Sequence, residues 1–381
     1  MWLFAVAALI FLMVSLGGAT RLTGSGLSIT EWQPIMGAVP PFSDAAWQQA
    51  FDKYRQIPQY EHVNRGMGLA AFKLIYWWEW THRFLGRLIG VVFLVPFLYF
   101  LATGQIGRPL IGKLAGIFAL GGLQGFIGWY MVSSGLADRI SVSQYRLALH
   151  MTLAVTIFGA VLWVALSLGR ARADNAPARP ARLQAAAAGI AALVLLQIAA
   201  GAFVAGLKAG AGWNTWPLME GQFVPHGLGA MTPWWANLFE NALTVQFNHR
   251  LLAYAIAAFV AWHLWSLLRG PSIGAAKISG LALGGAVLAQ VALGICTLLA
   301  HVPIPLALLH QAAAVSVFAV ALWHWHRLTH GWSGTRDGDS LSGSRQPASD
   351  ALRRRSAASA AIGIARRRRR ANATQWPIRP F

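Results

Sequence analysis

The hydrophobic pattern of the chain is a series of eight apolar segments, each of about 20 residues, the length that crosses a bilayer as a helix. Polar connections separate these segments, and only the connections at 20–80 and 207–246 are long. The pattern predicts an all-α integral membrane protein with eight transmembrane helices. The predicted spans are about 2–19, 81–103, 110–131, 147–168, 185–206, 247–268, 278–299 and 307–328.

The two halves of the chain repeat one another. Residues 79–83 match 246–250 at the start of the second and sixth spans, and 149–150 match 309–310 in the fourth and eighth. Shorter matches are Gln124 and Gly128 with Gln290 and Gly294, and Trp32, Gly37 and Pro41 with Trp216, Gly221 and Pro225. Because four helices return the chain to its starting side, the repeat predicts two tandem pseudo-symmetric four-helix bundles in the same orientation.

This repeat predicts three parts in the chain. An N-terminal half at 1–170 and a C-terminal half at 185–330 each form one bundle. Residues 331–381 are rich in Ser, Ala, Gly and Arg and have no periodic apolar face. We expect this last part to be a disordered, Arg-rich cytoplasmic tail.

Positive charge is concentrated in the short connections. Those at 104–113, 169–184 and 269–277 contain Lys and Arg, with Asp174 as their only acid. The positive-inside rule places these connections and both termini in the cytoplasm, so we expect a multi-pass protein of the bacterial inner membrane. Residues 1–16 have no basic start and no small-residue cleavage site, and we interpret them as a retained helix rather than a signal peptide.

Composition places the hydrophobic core of the protein in the bilayer. Of all residues 56% are hydrophobic and 11% are charged, against about 25% charged in an average soluble domain. The net charge of +19 would suit a nucleic-acid-binding protein, but eleven Arg and three Asp after His330 give the tail alone +8. Most other basic residues lie between apolar segments, where lipid headgroups meet them. Membrane lipid, and no nucleic acid, is therefore the expected partner.

The first long connection contains a short amphipathic pattern. Trp47, Phe51 and Tyr54 have helical spacing among Gln, Asp, Lys and Arg residues. The pattern predicts a helix, with two possible positions for its apolar face. The face could lie on the outer membrane surface or pack against the protein's own loops, and the sequence leaves both open.

Four of the eleven histidines lie near the outer ends of the even-numbered spans: His82, His150, His249 and His310. The predicted topology puts them at similar depth, two in each half. Two imidazoles are sufficient axial ligands for a heme iron, and a bundle interior offers an apolar slot for the porphyrin. Ionisable side chains are costly inside a membrane, so two matched pairs indicate function. The sequence predicts one heme iron site in each half, with these histidines as the metal ligands.

Other polar residues near the helix ends have simpler interpretations. His263, His324, His326 and His330 lie near the inner ends of spans, where we expect their polar tips to reach lipid headgroups. Arg83 and Arg250 each follow a candidate ligand. Their guanidinium groups suit heme propionates and lipid phosphates equally, so they are candidate cofactor-binding residues or lipid anchors.

The repeat is broken at one position of chemical importance. Glu79 lies three residues before His82, on the same helical face, whereas the second half has Gln246 there. Glutamine forms hydrogen bonds but cannot carry charge or exchange protons as a carboxylate does. The difference predicts one catalytic site and one electron-transfer site. The alternative is that Glu79 is only an interfacial carboxylate paired with Arg83 or another base.

A long motif closes the first span. Residues 17–28 are Gly-Gly-Ala-Thr-Arg-Leu-Thr-Gly-Ser-Gly-Leu-Ser, followed by Glu31-Trp32, Pro34 and Gly37. With 79–83 and the later histidines, this segment resembles the heme A synthase family (CtaA-like), of the alphaproteobacterial and mitochondrial type. The resemblance covers about residues 1–330. One branch of that family has paired outer-loop cysteines, and the single Cys296 of this chain fits the other branch.

The resemblance implies a reaction and a division of roles. The family oxidises the C8 methyl group of heme O to the formyl group of heme A by successive hydroxylations. It implies a heme b cofactor held through His249 and His310. It also implies that the substrate heme O binds near His82 and His150, with Glu79 as the catalytic carboxylate. Heme O synthase is the expected supplier of the substrate, whereas the electron acceptor and association between copies of the chain are left open.

Two other functions are compatible with paired histidines. A cytochrome b-type electron-transfer protein of the membrane, moving electrons between a quinol and a partner, explains two histidine pairs equally well, but it does not explain why only one half has a carboxylate. A heme carrier would hold heme without chemistry. Conversion of heme O to heme A separates the enzyme from both alternatives.

Overall fold

The structure is a computed structural model that describes residues 1–168, 180–270 and 274–330. Within these ranges the chain forms ten α-helices, and eight of them are long and apolar enough to cross a membrane. All eight predicted spans are confirmed. In chain order the helices are α1 (Trp2–Leu22), α2 (Asp44–Tyr54), α3 (Pro58–His62), α4 (Leu69–Ala102), α5 (Arg108–Ser133), α6 (Gln144–Leu168), α7 (Ala181–Gly206), α8 (Ala242–Arg269), α9 (Gly274–Leu299) and α10 (Ile304–His330).

The eight long helices pack in two similar groups. In the first, α1 and α5 each pack against both α4 and α6, and in the second α7 and α9 each pack against both α8 and α10. The groups meet where α6 packs on α7 and on α10, and where α1 packs on α10. This arrangement is consistent with the predicted tandem four-helix bundles. A shared core of buried Val, Ile, Leu and Phe side chains runs through both groups.

One end of the helical assembly carries both long connections. Residues 23–68 join α1 to α4 and residues 207–241 join α7 to α8, and we call this the long-loop end. Helices α4, α6, α8 and α10 begin at this end, and α1, α5, α7 and α9 finish there. The arginine-rich segment 331–381 and most of the basic connection at 169–184 lie outside the described residues.

The first long connection is anchored by aromatic packing. Helix α4 begins at Leu69, before the predicted start of the span at 81, and the added turns form a platform for α2. Trp47, Phe51 and Tyr54 of α2 are buried against Phe72 and Tyr76 of α4. Of the two positions considered for this amphipathic helix, packing within the chain is therefore the observed one.

Candidate functional site

Each of the four candidate histidines lies against a glycine of a neighbouring helix. A Cβ atom built on Gly17 would stand 2.8 Å from Cε1 of His82, and one on Gly128 would stand 2.9 Å from Cε1 of His150. The corresponding distances are 3.1 Å for Gly201 and His249 and 2.9 Å for Gly294 and His310. Any larger residue would displace the imidazole, so the glycines create the space in which the rings lie.

These glycines occupy one register in all four helices. Each lies five residues before the last residue of its helix, in α1, α5, α7 and α9. The four imidazoles therefore lie at the same depth near the long-loop end. The internal repeat thus extends from the histidines that the sequence singled out to the surfaces that support them.

Three of the four imidazoles are also held by a glutamine, which the sequence analysis did not recognise as a set. The amide nitrogens of Gln124, Gln197 and Gln290 lie 3.1–3.2 Å from Nδ1 of His150, His249 and His310, respectively, and those of Gln124 and Gln197 also lie 3.4 and 3.2 Å from Nε2 of the same rings. Each amide also donates to the main-chain oxygen of the same histidine at 3.0 Å. A recognisable signal existed, because Gln-x-x-x-Gly occurs at the matching place in α5, α7 and α9.

The two histidines of each half belong to different helices that begin at the long-loop end, α4 and α6 in the N-terminal half and α8 and α10 in the C-terminal half. The structure places no direct hydrogen bond between the members of either pair, and each imidazole keeps some accessible surface. Two imidazoles at the same depth of one bundle, each backed by a glycine, suit bis-imidazole ligation of a heme iron. The side chains in both halves therefore fit the predicted heme.

Glu79 is buried in the N-terminal half and fully hydrogen-bonded. One carboxylate oxygen accepts from the Ser28 hydroxyl at 2.8 Å and from the main-chain N–H of Ile29 at 2.9 Å. The other oxygen accepts from Arg83, at 2.6 Å from Nη2 and 3.0 Å from Nε. The side chain of Glu79 is only 3% exposed. The partner considered for it in the sequence analysis, Arg83, is thus present, and the carboxylate is fixed from two sides.

The C-terminal half has the same framework without the carboxylate. Arg83 donates to the carbonyls of Ile29 and Glu31, and Arg250 donates to those of Trp213 and Thr215. These carbonyls occupy equivalent places in the two long connections. Both arginines therefore hold a loop over their bundle. The sequence predicted heme propionates or lipid phosphates as their partners, and this contact with loop carbonyls was not predicted.

Gln246 replaces Glu79 within this repeated framework. Its amide nitrogen donates to the carbonyl of Trp213 at 3.0 Å, and its carbonyl oxygen is buried without a hydrogen-bond partner among the described residues. Glu79 instead accepts from the N–H of Ile29, the residue equivalent to Trp213. At this position the two halves therefore differ by one acidic group in matched surroundings.

The prediction was wrong for three of the four inner histidines, whereas the fourth, His330, is exposed at the end of α10. His263, His324 and His326 are at most 1% exposed, so their tips do not reach lipid headgroups. His263 and His324 hydrogen-bond directly through their Nε2 atoms at 2.9 Å. Ser279 and Ser167 provide hydroxyl partners for His324 and His326, at 2.9 and 3.1 Å. These partners come from other helices, so the rings of His324 and His326 find hydrogen-bond partners within the protein rather than at headgroups, whereas Nδ1 of His263 is buried with no hydrogen-bond partner among the described residues.

Comparison with known proteins gives the family of the chain. A model of the COX15-CtaA family, described as cytochrome oxidase assembly protein, matches residues 1–322. The chain belongs to this family. The match includes all four histidines, their glycines and Glu79. The family predicted from the sequence is therefore confirmed.

Several relatives of the chain carry the same name. It is 55% identical to the heme A synthase of Parvibaculum lavamentivorans over 327 residues, which are 86% of this chain and 93% of the relative. It is 56% identical to the heme A synthase of Azorhizobium caulinodans over 325 residues, or 85% and 92% of the two chains. The heme A synthase of Rhizobium meliloti is 52% identical over 325 residues, or 85% and 88%. These names confirm the prediction that the chain belongs to a family of enzymes.

Proposed function

We propose that this chain is a heme A synthase that oxidises the C8 methyl group of heme O to a formyl group by successive hydroxylations. In this proposal His249 and His310 ligate the iron of a heme b cofactor. His82 and His150 receive the substrate heme O. The family membership, the printed names of the relatives and the two glycine-backed imidazole pairs all support the proposal.

The observation that carries the division of roles is the replacement of Glu79 by Gln246 within matched frameworks. Oxidation of a methyl group on an electron-rich ring develops positive charge beside that ring. A buried carboxylate held by Arg83, Ser28 and the main chain is oriented before the reaction, and it stabilises such charge strongly where water is excluded. It can also accept a proton, which the Gln246 amide cannot do.

The other side chains of the two halves bind and orient. The glycines set the positions of the imidazoles, and the glutamines hold three of the rings. Bound heme b would supply a one-electron centre in the C-terminal half. Arg83 lines a cleft of about 250 Å³ together with Lys53, Arg87 and one acid, Glu31, which forms an ion pair with Lys53. This cationic lining suits the propionate groups of a heme substrate, while Arg83 also holds Glu79.

The proposal includes a location and partners. In this proposal the protein lies in a bacterial inner membrane with both termini in the cytoplasm and the long-loop end on the outer side, which the basic short connections support. The active centre then lies in the outer leaflet, where heme O arrives from a heme O synthase. The electrons leave through an acceptor outside this chain.

The test is conversion of heme O in a membrane. The chain is produced in a host that makes heme O and has no heme A synthesis of its own, and the extracted hemes are separated and identified by mass spectrometry. The proposal predicts heme A. If only heme O were found while the chain carried bound heme, the protein would instead be an electron-transfer cytochrome or a carrier.

A variant pair tests the role of the carboxylate. Glu79→Gln gives the N-terminal half the residue of the C-terminal half, and we expect heme A formation to fall at least about 100-fold, in the range of a lost acid–base group. Glu31→Gln is the control, because Glu31 is an exposed carboxylate paired with Lys53 on the same loop. Equal heme A yields from the two variants would refute the catalytic role of Glu79.

A further inference from the structure

The glutamine that holds an imidazole is absent from one of the four positions. Gln124, Gln197 and Gln290 each lie four residues before the glycine that backs a histidine. In α1 the residue four before Gly17 is Met13. Side chains four residues apart lie on the same face of a helix, so Met13 stands in the glutamine register.

Met13 reaches α4 one turn from His82 and has no amide group. Its terminal methyl carbon would lie 3.1 Å from a Cβ built on Gly86, one turn beyond His82 in α4. The side chain therefore reaches α4 close to His82. A thioether has no N–H to donate and is a weak acceptor, so it cannot hold an imidazole as an amide does.

His82 is accordingly the least restrained of the four imidazoles. Its Nδ1 atom is buried and has no hydrogen-bond partner within the described ranges. A histidine that binds iron through Nε2 carries its proton on Nδ1 and is oriented by an acceptor for that proton. The side-chain oxygens of Gln124, Gln197 and Gln290 are buried and have no hydrogen-bond partner among the described residues, so each could rotate to serve as such an acceptor.

The two halves need different residence times for heme, if the proposed function is right. A substrate heme must enter and leave at every turnover, whereas a cofactor heme must stay. Losing the hydrogen-bond partner of a metal-bound histidine typically weakens metal binding about 10- to 100-fold. Within the N-terminal half, Gln124 still restrains His150, so one ligand is anchored and the other is free to move.

We propose that Met13 makes His82 the releasable ligand, so that the N-terminal half exchanges its heme while the C-terminal half retains its own. This inference rests on the proposed function, because it assumes a heme in each half. In this inference Met13 is a positioning residue: because its side chain donates no hydrogen bond, the His82 imidazole is left free to move. The inference also explains why the glycine is kept in all four helices while the glutamine is kept in three.

The experiment measures the rate at which heme leaves each half. The purified full-length protein is loaded with heme b and mixed with excess apomyoglobin, which captures released heme and changes its absorbance. We expect a fast phase from the N-terminal half, which His82→Ala removes, and a slow phase that His249→Ala removes. Met13→Gln should slow the fast phase about 10- to 100-fold. Met13→Leu, which has similar volume and no donor, should stay within about twofold of the unmodified protein.

A reciprocal variant covers the case in which Met13→Gln does not fold. Gln197→Met places a thioether beside His249 and should speed the slow phase about 10- to 100-fold. Suppose that the fast phase is observed and that His82→Ala removes it. An unchanged rate of this phase in Met13→Gln would then overturn this inference alone. So would a slow phase unchanged in Gln197→Met. If neither His82→Ala nor His249→Ala altered heme content, the proposed function itself would fall.

Discussion

Arg83 donates two hydrogen bonds to one carboxylate oxygen of Glu79, from Nη2 at 2.6 Å and from Nε at 3.0 Å. The same guanidinium donates to the carbonyls of Ile29 and Glu31 in the first long connection. One side chain thus fixes the catalytic candidate and the loop that covers it. In the C-terminal half Arg250 keeps only the second of these roles.

Arg83→Ala should therefore damage both stability and activity. Removing one partner of a buried ion pair leaves an uncompensated charge and costs about 3–5 kcal/mol of unfolding free energy. The matched control is Arg87→Ala, since Arg87 donates to the loop carbonyls of Gln33 and Pro34 without an ion pair. Denaturation in detergent compares the stability of the two variants, and the heme A yield is measured for Arg83→Ala. Equal losses in the two variants would show that the ion pair has no special importance.

The glycines that back the histidines should tolerate no Cβ atom. Gly294→Ala would put a methyl group 2.9 Å from the His310 ring, and overpacking of this kind typically costs about 1–3 kcal/mol. We expect heme b in the C-terminal half to bind about 5- to 150-fold more weakly, measured by heme titration. Gly285→Ala, in the same helix, meets no atom within 4 Å and is the control. Unchanged heme affinity in Gly294→Ala would contradict the proposed role of the glycine.

A contact between the two halves gives a third prediction. Gln311, the residue after His310, donates to the carbonyl of Val14 at 2.6 Å, and a Cβ on Gly18 would lie 2.6–2.8 Å from its amide group. Gly18→Ala should therefore break this bond and lower the unfolding free energy by about 1–3 kcal/mol. Combining Gly18→Ala with Gln311→Ala removes the amide group that the added methyl group would meet.

The double variant measures the coupling between these two residues. It should be less destabilised than the sum of the single variants, by about 0.5–3 kcal/mol, as expected for residues in contact. Thermal denaturation of the four proteins in detergent provides the comparison. Strictly additive effects would mean that Gly18 and Gln311 do not contact one another in the membrane protein.

Much of the fold could be predicted from the sequence because apolar length alone determines which helices can cross a membrane. The early start of α4 could not be predicted in this way. Its first turns are stabilised by packing of Phe72 and Tyr76 against α2, and such a contact between distant segments leaves no mark in local hydropathy. The inner histidines were misjudged for the same reason, since the hydroxyls of Ser279 and Ser167 come from other helices.

The candidate site was predicted unevenly. The repeat identified His82, His150, His249 and His310 because identical residues recur at matched positions. It also exposed the exchange of Glu79 for Gln246. Met13 and the three glutamines of its register were not recognised as a set. They occupy one register in all four odd-numbered spans, whereas the sequence repeat relates these spans only in pairs, one from each half. Which side chains they touch depends on helix rotation, which three-dimensional packing determines.

The central claim is that the two halves hold different hemes through different histidine pairs, and the content of low-spin heme b per chain, as isolated with no heme added, tests it most directly. We predict that His249→Ala loses this heme, whereas His82→Ala keeps it and fails only to convert heme O. Low-spin heme b retained in His249→Ala, or lost in His82→Ala, would contradict the account.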